Sequence, residues 1–237
     1  MAESVFIAGM FVKYGEDYVQ LSDLLGNAEE AQYARNEVKK VYDAVLDAGW
    51  DGDWFVRAYD AFGNKVGSKE CEEGQIYIEP QGFCTLAETV VGHGNRAFEV
   101  YKKTCPAFLQ DISEIHRTEP YVYSQMVAGA DAVHHGEAKN SWLTGTAAWT
   151  FVNISQYILG IMPDWNGLKI DPCVPSDFGS YTVKRFYRSA EYEIHIDNPN
   201  QVEKGVVSIT VDGKSVFGNV IPLETGKTYY NVHVVMG

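Results

Sequence analysis

The fold class is decided by residues 27–49, which read NAEEAQYARNEVKKVYDAVLDAG. Asn27 stands three residues before Glu30, a spacing typical of a capping box at a helix N-terminus. Apolar side chains then recur at helical intervals, at Ala31, Ala34, Val38, Val41, Tyr42 and Val45. Gly49 ends this pattern, so the stretch predicts an amphipathic helix.

Further helices are predicted on both sides of this stretch. An apolar segment begins at Val5 and is stopped by Gly26. Downstream, Thr85 offers the N-terminal cap of a short helix, and Asn95 offers the cap of a helix that stops before Pro106. The first half of the chain is therefore expected to be mainly helical.

The hydrophobic pattern changes along the chain. Residues 50–80 predict loops and short strands, because short aromatic segments alternate there with glycines. A wide apolar face then predicts a buried helix from about residue 141 to residue 159. Beyond Pro163 apolar and polar side chains alternate, and Asp212-Gly213 between two such segments is a strong hairpin signal.

These patterns predict a mainly α fold with a C-terminal antiparallel β region. We place a helical domain at residues 1–162 and the β region at residues 163–237. The change from a helical period to a period of two is the basis of this boundary.

Composition limits the partners of the chain. It has 237 residues and a formal net charge of −13, which argues against nucleic acid and anionic membrane surfaces. Its four cysteines form no C-x-x-C pair, which argues against a zinc ribbon and indicates reduced thiols. No segment reaches the roughly 18 consecutive apolar residues of a membrane span. We therefore expect a globular cytoplasmic protein.

Two aspartates beside tryptophans are the first candidates for chemistry. Asp51 and Asp53 lie between Trp50 and Trp54, and sugar sites often combine carboxylates with aromatic faces. Asp-Gly is also a common turn element, and the turn interpretation is favoured here.

Three further polar segments are weaker candidates. His134, His135 and Glu137 suggest a metal, but adjacent histidines on a helix point in different directions, so we predict no metal site there. Residues 92–94, Gly-His-Gly, lack the rest of a dinucleotide fingerprint and predict a turn between helices, with no cofactor. We interpret the remaining polar groups as surface or supporting residues: Glu79, Gln81, Asp111, Glu114, His116 and Glu119.

The sequence Thr144-Gly145-Thr146 combines two hydroxyls with a residue that has no side chain, at the start of an apolar helix. Free N–H groups in the first turn of a helix and threonine hydroxyls suit an anion. The alternative is that the threonines cap the helix, and the residues alone favour that alternative.

Several long strings resemble the glycoside hydrolase family 94 phosphorylases, and the cellobiose-phosphorylase type most closely. The strings are WDGDWFVRAYD at residues 50–60, GSKE at 67–70, ISEIHRTEPYVY at 112–123, GEAKNSWLTGTA at 136–147 and GLKIDPC at 167–173. The resemblance covers essentially the whole chain.

This resemblance implies a partial (α/α)6 barrel with β elements and a hexosyl-transferring reaction. In the family, phosphate cleaves a β-1,4-glucoside with inversion to give α-glucose 1-phosphate, and an aspartic acid protonates the departing oxygen. Inorganic phosphate is a co-substrate, and neither a metal nor an organic cofactor is implied. The partners implied are a β-glucoside disaccharide and phosphate, and a homodimer is possible.

The resemblance also assigns residues. It places Thr144 and Gly145 at the family's phosphate-binding turn and Gln125 at a position that contacts the sugar in the donor subsite. Thr146 is a supporting residue.

Two departures from the family pattern limit what these residues are expected to do alone. The family's acid lies in a Trp-Asn-Asp-like stretch upstream of the segment matching residues 3–6, so no catalytic residue is assigned here. Between residues 82–84 and 85–88 the family has several dozen more residues, which include sugar contacts and a phosphate-binding histidine. We therefore expect an inactive partial phosphorylase. A non-catalytic carbohydrate-binding or oligomerisation remnant is the alternative, and a hydrolase built on Asp51 and Asp53 is less favoured.

Overall fold

A computed structural model describes residues 3–52, 55–67, 76–130 and 132–237. The helices are α1 (Val5–Leu24), α2 (Ala28–Ala44), α3 (Ile78–Val91), α4 (Gly94–Thr104), α5 (Ser113–His116) and α6 (Thr146–Val152). The strands are β1 (Glu3–Ser4), β2 (Ala58–Tyr59), β3 (Lys65–Val66), β4 (Ile76–Tyr77), β5 (Met126–Val127), β6 (Ala138–Lys139), β7 (Ile161–Pro163), β8 (Gly167–Ile170), β9 (Tyr181–Tyr187), β10 (Ala190–Asp197), β11 (Val206–Val211), β12 (Lys214–Val216), β13 (Val220–Pro222) and β14 (Tyr229–Met236). None of the helices in these described ranges is long and apolar enough to cross a membrane.

Packing divides the chain into two compact units. The helical unit comprises residues 1–90 and 100–150, and the sheet unit comprises residues 91–99 and 151–237. Together they form a mixed fold of helices and largely antiparallel sheets, as the hydrophobic pattern predicts.

The helical unit begins with a hairpin of α1 and α2. Gly26, with a φ of +73°, forms the turn, and Asn27 caps α2 by accepting a hydrogen bond from the Glu30 N–H at 3.3 Å. The helices approach closely at Gly15, where an added Cβ would lie 2.4 Å from Val38 Cγ2. Both predicted helices are therefore confirmed, although α2 itself ends at Ala44 and a π-helical segment, Val45–Gly49, continues it to the predicted end.

Helix α3 packs against α1 and α6 in the same unit. The Phe83 ring lies 4.9 Å from the Phe6 ring and 4.5 Å from the Trp149 ring, measured between centroids. Gly9 of α1 lies against the backbone of Phe83, where an added Cβ would be 3.5 Å from the carbonyl oxygen. Three helices thus meet around one aromatic side chain.

The predicted helix start at Thr85 is wrong. Helix α3 already begins at Ile78, and Pro80 fits its first turn because proline needs no intrahelical donor there. The Thr85 hydroxyl donates instead to the Gln81 carbonyl at 3.1 Å, four residues back in the helix. Threonine therefore occupies the helix interior here.

Asn95 is also not the cap of its helix. Helix α4 begins at Gly94, and the Asn95 side chain accepts a hydrogen bond from the Ser176 N–H at 3.1 Å within the sheet unit. The predicted end before Pro106 is confirmed, since α4 ends at Thr104. The turn predicted at residues 92–94 is confirmed as well, with a φ of +94° at Gly92.

The helix predicted from residue 141 begins later, at Thr146. Asn140 and Trp142 have φ angles of +55° and +70°, and a right-handed helix cannot contain such residues. The helix continues as a π-helical segment, Asn153–Ile158, so its predicted end near residue 159 is confirmed.

The sheet unit contains a five-stranded sheet in the order β12-β11-β14-β10-β9. The predicted hairpin is β11–β12, with positive φ angles of 50° at Asp212 and 78° at Gly213, as a type I′ turn requires. One face is buried almost completely, with Ile194, Ile196, Val232, Val234 and Met236 at 0% exposure. A separate antiparallel sheet has the order β13-β8-β7.

The pairing of β10 with β14 departs from the predicted antiparallel arrangement. These strands run parallel, with Glu191 opposite Tyr229 and Asp197 opposite Val235. Alternation of apolar and polar residues identifies a strand and its buried face but does not determine the direction of its neighbour. The other pairings in this sheet are antiparallel.

Candidate phosphate and sugar site

The turn before α6 uses its hydroxyls to begin the helix. Thr144 Oγ1 accepts a hydrogen bond from the Thr146 N–H at 3.1 Å and lies 2.6 Å from Thr146 Oγ1. Thr146 is buried, whereas Thr144 is half-buried and Gly145 is exposed. Thr144 Oγ1 thus satisfies the N–H of the first helical residue, while Gly145, whose carbonyl accepts from the Trp149 N–H at 3.1 Å, occupies the N-cap position itself.

Capping does not use all the donors of this turn. When the Thr146 hydroxyl donates to Thr144 Oγ1, the proton of the Thr144 hydroxyl is free to bind an anion. The exposed Gly145 lets such an anion approach the backbone closely. The same threonine can therefore satisfy the Thr146 N–H and donate to a ligand.

Gly145 faces a carboxylate. A Cβ added at Gly145 would lie 3.1 Å from Glu79 Oε1, at the start of α3. Any larger residue at this position would press on the Glu79 side chain. An anion bound over Gly145 would also meet the Glu79 charge, unless a proton lies between them.

Gln125 lies at the other side of the α3 start. Its carbonyl oxygen accepts a hydrogen bond from the Ile78 N–H at 2.9 Å, and Gln125 directly precedes β5. Its side-chain oxygen accepts from Asn140 Nδ2 at 2.8 Å. The side-chain amide of Gln125 is thus oriented by a neighbour, and its nitrogen donates to no group among the described residues, which leaves it available to a ligand.

The first turn of α3 therefore links the residues that the sequence assigned separately. Ile78 bonds to Gln125, while Glu79 lies against Gly145. The segments that carry Gln125 and Gly145 thus both contact this turn, which also carries the Glu79 carboxylate. Hydroxyl, amide and carboxylate groups match the donors and acceptors of a sugar and of phosphate.

Trp142 is a residue of this region that the sequence reasoning missed as a site candidate. Its side chain is 71% exposed, and its indole N–H donates to Glu119 Oε1 at 3.1 Å. A positive φ costs of order 1–3 kcal/mol for a non-glycine residue and is frequent at functional sites. The sequence places Trp142 on the apolar face of a predicted helix, and neither its exposure nor its backbone angle is visible there.

A nearby cavity of about 400 Å³ is mostly apolar. Gln81 and His116 are among its few polar wall residues, and within the described residues Gln81 Oε1 has no hydrogen-bond partner. Burial lowers the pKa of His116, although its hydrogen bond to the Gly136 backbone acts in the opposite direction. This cavity offers few of the hydrogen bonds that a disaccharide needs, so we place the candidate site at the α3 start.

The other polar candidates have structural partners. Asp51, whose side chain is 6% exposed, accepts from Lys65 at 2.9 Å, while Asp53 lies outside the described residues. Glu137 contacts Lys139 at 2.7 Å and Arg117 at 3.6 Å, in addition to His134 at 3.7 Å. These contacts favour the structural interpretations of Asp51 and Glu137.

The model of the glycosyl hydrolase 94 superfamily catalytic domain matches residues 1–87 and 84–160. The chain therefore belongs to this family.

Two curated relatives are phosphorylases. N,N'-diacetylchitobiose phosphorylase of Vibrio proteolyticus is 40% identical over 166 residues, covering 70% of this chain and 21% of that protein. Solabiose phosphorylase of Paenibacillus borealis is 29% identical over 263 residues, covering 83% of this chain and 34% of that protein. The chain thus spans about a fifth to a third of the length of these relatives. A family 92 α-mannosidase structure from Bacteroides thetaiotaomicron covers 67% of this chain and 18% of its own, at 14% identity and a TM-score of 0.30, which is too low to compare folds.

The comparisons also support the predicted internal gap. The alignment with solabiose phosphorylase extends over 263 residues, more than the 237 of the whole chain, so the relative has internal residues without a counterpart here. The family model matches in two parts that overlap at residues 84–87, and the family resemblance predicts the gap between residues 82–84 and 85–88.

Proposed function

We propose that these 237 residues are part of an inverting disaccharide phosphorylase that acts on a β-1,4-glucoside such as cellobiose. Membership of the family and the two phosphorylase relatives support phosphorolysis of a disaccharide. The choice of cellobiose rests on the resemblance of the strings quoted above. Phosphate is the co-substrate, and no organic cofactor or metal takes part in the proposed step.

In the proposed reaction, a phosphate oxygen forms a bond to the anomeric carbon while the glycosidic bond on the opposite face breaks. The bonding electrons leave with the glycosidic oxygen, which takes a proton from an aspartic acid outside these residues. Thr144 and the Gly145 backbone hold the phosphate, and the Gln125 amide donates to the sugar. These groups orient the two substrates for attack.

The observation that supports this proposal is that the first turn of α3 contacts both segments: the Ile78 N–H donates to the Gln125 carbonyl, and Glu79 lies against Gly145. A sugar contact and a phosphate contact must be neighbours, because the anomeric carbon and the attacking phosphate react directly. Glu79 then favours a protonated form of phosphate. The P–OH group that faces Glu79 donates a hydrogen bond to its carboxylate.

The experiment uses an intact parent enzyme that carries this segment. Thr144→Ser retains the hydroxyl and is expected to preserve both phosphate use and stability. Thr144→Asp still caps the helix but places a carboxylate against the incoming anion, so we expect the KM for phosphate to rise at least tenfold. Phosphate kinetics and thermal unfolding are measured for both variants. A folded Thr144→Asp enzyme with unchanged phosphate KM would disprove the phosphate role.

We expect no detectable phosphorolysis of cellobiose by these 237 residues alone. Protonation of a leaving group contributes typically 10²–10⁴-fold, and the family's acid lies upstream of the matching segment. Release of glucose 1-phosphate is measured with and without phosphate. A rate near that of an intact homologue would contradict this expectation and would require another acid within the chain.

A second candidate function, oligomerisation without catalysis, is favoured by one face of α1. We name this face the α1 stripe; its side chains are between 45% and 73% exposed and follow helical spacing, at Ile7, Phe11, Tyr14, Tyr18, Leu21 and Leu25. In a complete (α/α)6 barrel, neighbouring helices would cover such a face. In these residues alone, a second copy of the chain can cover it.

The two candidate functions differ in measurable ways. A phosphorylase segment requires Thr144 for phosphate use in the intact parent, whereas an oligomerisation module requires the α1 stripe for self-association. Kinetics of Thr144 variants and sedimentation of α1 stripe variants therefore test them separately.

A further inference from the structure

The exposed face of the five-stranded sheet brings two histidines and an aspartate together. His195 on β10 lies directly opposite His233 on β14, and Asp197 lies two residues further along β10. The ligand atoms of these three residues all lie within 4.8 Å of one another, a grouping that is unique in the described part of the chain. Their side chains are 46%, 45% and 33% exposed, respectively.

We propose that His195, Asp197 and His233 form a binding site for one divalent transition-metal ion, of which Zn²⁺ is the representative. Two imidazole nitrogens and one carboxylate oxygen are the donor set that such ions prefer, whereas Mg²⁺ and Ca²⁺ prefer oxygen ligands alone. Solvent would complete the coordination, because all three side chains are partly exposed.

The side chains must turn slightly to hold a metal, because the two histidines face different oxygens of Asp197. In tetrahedral coordination with bonds of 2.0–2.1 Å, neighbouring ligand atoms lie about 3.3 Å apart. His195 Nε2 is 3.2 Å from Asp197 Oδ1, and His233 Nε2 is 2.7 Å from Asp197 Oδ2. The second pair must therefore separate by about half an ångström, which the half-exposed His233 side chain can provide.

The surrounding hydroxyls are arranged as supporting partners of metal ligands often are. Thr182 on β9 lies opposite His195, and its Oγ1 is 3.1 Å from His195 Nδ1. When His195 donates from Nδ1 to this hydroxyl, the Nε2 lone pair faces Asp197 and is free for a metal. Ser180 Oγ donates to Asp197 Oδ1 at 2.5 Å and holds the carboxylate. A site on neighbouring strands is also more rigid than one on loops.

This site would join β10 and β14, the parallel pair at the centre of the sheet. Because the ion would bind the folded sheet and not the separated strands, it would raise the stability of the fold. The sequence does not reveal the grouping, since His233 is far from His195 along the chain and comes beside it through strand pairing alone.

The test uses the tag-free, metal-free 237-residue chain and titrates it with ZnCl₂ in competition with a chromogenic chelator. We expect one Zn²⁺ per chain and a rise in the thermal midpoint, while MgCl₂ has neither effect. His195→Gln and His233→Gln should each weaken Zn²⁺ binding at least tenfold and remove the thermal effect. Thr182→Val should weaken binding about tenfold, as losses of supporting partners do.

His135→Gln is the matched control, because His135 is an exposed histidine of the helical unit outside this cluster. It should bind Zn²⁺ like the parent chain. The circular dichroism of each metal-free variant shows whether that variant is folded. If one of the histidine variants is unfolded, Asp197→Asn is used in its place, because asparagine keeps an acceptor for Ser180. No saturable binding, or binding that persists in the folded cluster variants, would overturn the proposal; persistent binding would assign the zinc to other groups such as cysteines.

Discussion

The sheet unit and the helical unit bury their apolar residues to very different extents. In the sheet, Ile194, Ile196, Val232, Val234 and Met236 are 0% exposed. In the helical unit, α1 buries Val12 and Val19 on one side while the α1 stripe stays 45–73% exposed on another. The sheet thus has a fully buried apolar face, whereas α1 carries more apolar surface than the described residues around it cover.

This difference indicates which elements of the family fold need further neighbours to cover their apolar surface. Solabiose phosphorylase contains internal residues that have no counterpart here, and the two family-model matches overlap at residues 84–87, within α3 of the helical unit. A strand pattern with one apolar face needs a single partner layer, but helices in a closed barrel need neighbours on several sides. Loss of a segment is therefore expected to affect the helices more than the sheet.

The largest expected effect is a core substitution in the sheet. Ile194→Ala removes a fully buried side chain and should lower the free energy of unfolding by about 2–5 kcal/mol. Ile7→Ala, at 57% exposure in the α1 stripe, should change it by less than about 0.5 kcal/mol. Urea unfolding of both variants measures the contrast. Equal losses would show that Ile7 is buried in solution by association.

The second expected effect concerns self-association through the α1 stripe. Phe11→Glu and Leu21→Glu place charges on apolar positions that are 45% and 50% exposed, so they should shift sedimentation toward the monomer. Phe62→Glu is the control, because Phe62 is 89% exposed and lies outside the stripe. A parent chain that is already monomeric at all concentrations would rule out a role of the stripe in dimers.

A smaller effect is expected at the β11–β12 hairpin. Gly213 has a φ of +78° with no atom near its missing Cβ, so Gly213→Ala should cost about 1–2 kcal/mol through backbone strain alone. Gly179→Ala is the control, because a Cβ added at Gly179 also meets no other atom but the backbone there does not have a positive φ. This substitution should be neutral or slightly stabilising. Similar losses in both variants would mean that the turn differs from type I′.

The smallest expected effect is a pH dependence at His116. Burial lowers its pKa in the folded state below the usual value of 6.5, so the unfolded chain binds the proton more readily. This histidine therefore adds to stability above about pH 6.5, and the contribution is lost as the pH falls through its lower folded-state pKa. His116→Gln should flatten the acid limb of a plot of urea midpoint against pH. An unchanged slope would exclude a buried neutral imidazole.

The sequence predicts those parts of the fold that depend on neighbouring residues. Asn27 and Gly26 delimit the α1–α2 hairpin, and Asp212-Gly213 forms the predicted turn, because a cap or a positive φ is a local requirement. Thr85 misleads for the same reason, since its hydroxyl suits both a cap and a bond to a carbonyl four residues back.

The remainder depends on contacts between distant segments. The parallel direction of β10 and β14 and the meeting of His195 with His233 follow from pairing across the sheet. The approach of Glu79 to Gly145 likewise depends on how α3 packs in the helical unit. The roles assigned to Thr144, Gly145 and Gln125 come from the family resemblance and remain predictions.

The place of β14 in the sheet has a consequence for protein synthesis. This strand is the latest of the five in chain order, yet it lies between β11 and β10 in the sheet. During synthesis, β9 to β12 emerge from the ribosome before β14. The edges of β10 and β11 that pair with β14 therefore stay unpaired until residue 236 has emerged. Unpaired apolar edges attract other chains. We therefore expect nascent chains that stall before β14 to depend on chaperones, whereas completed chains can close the sheet at once.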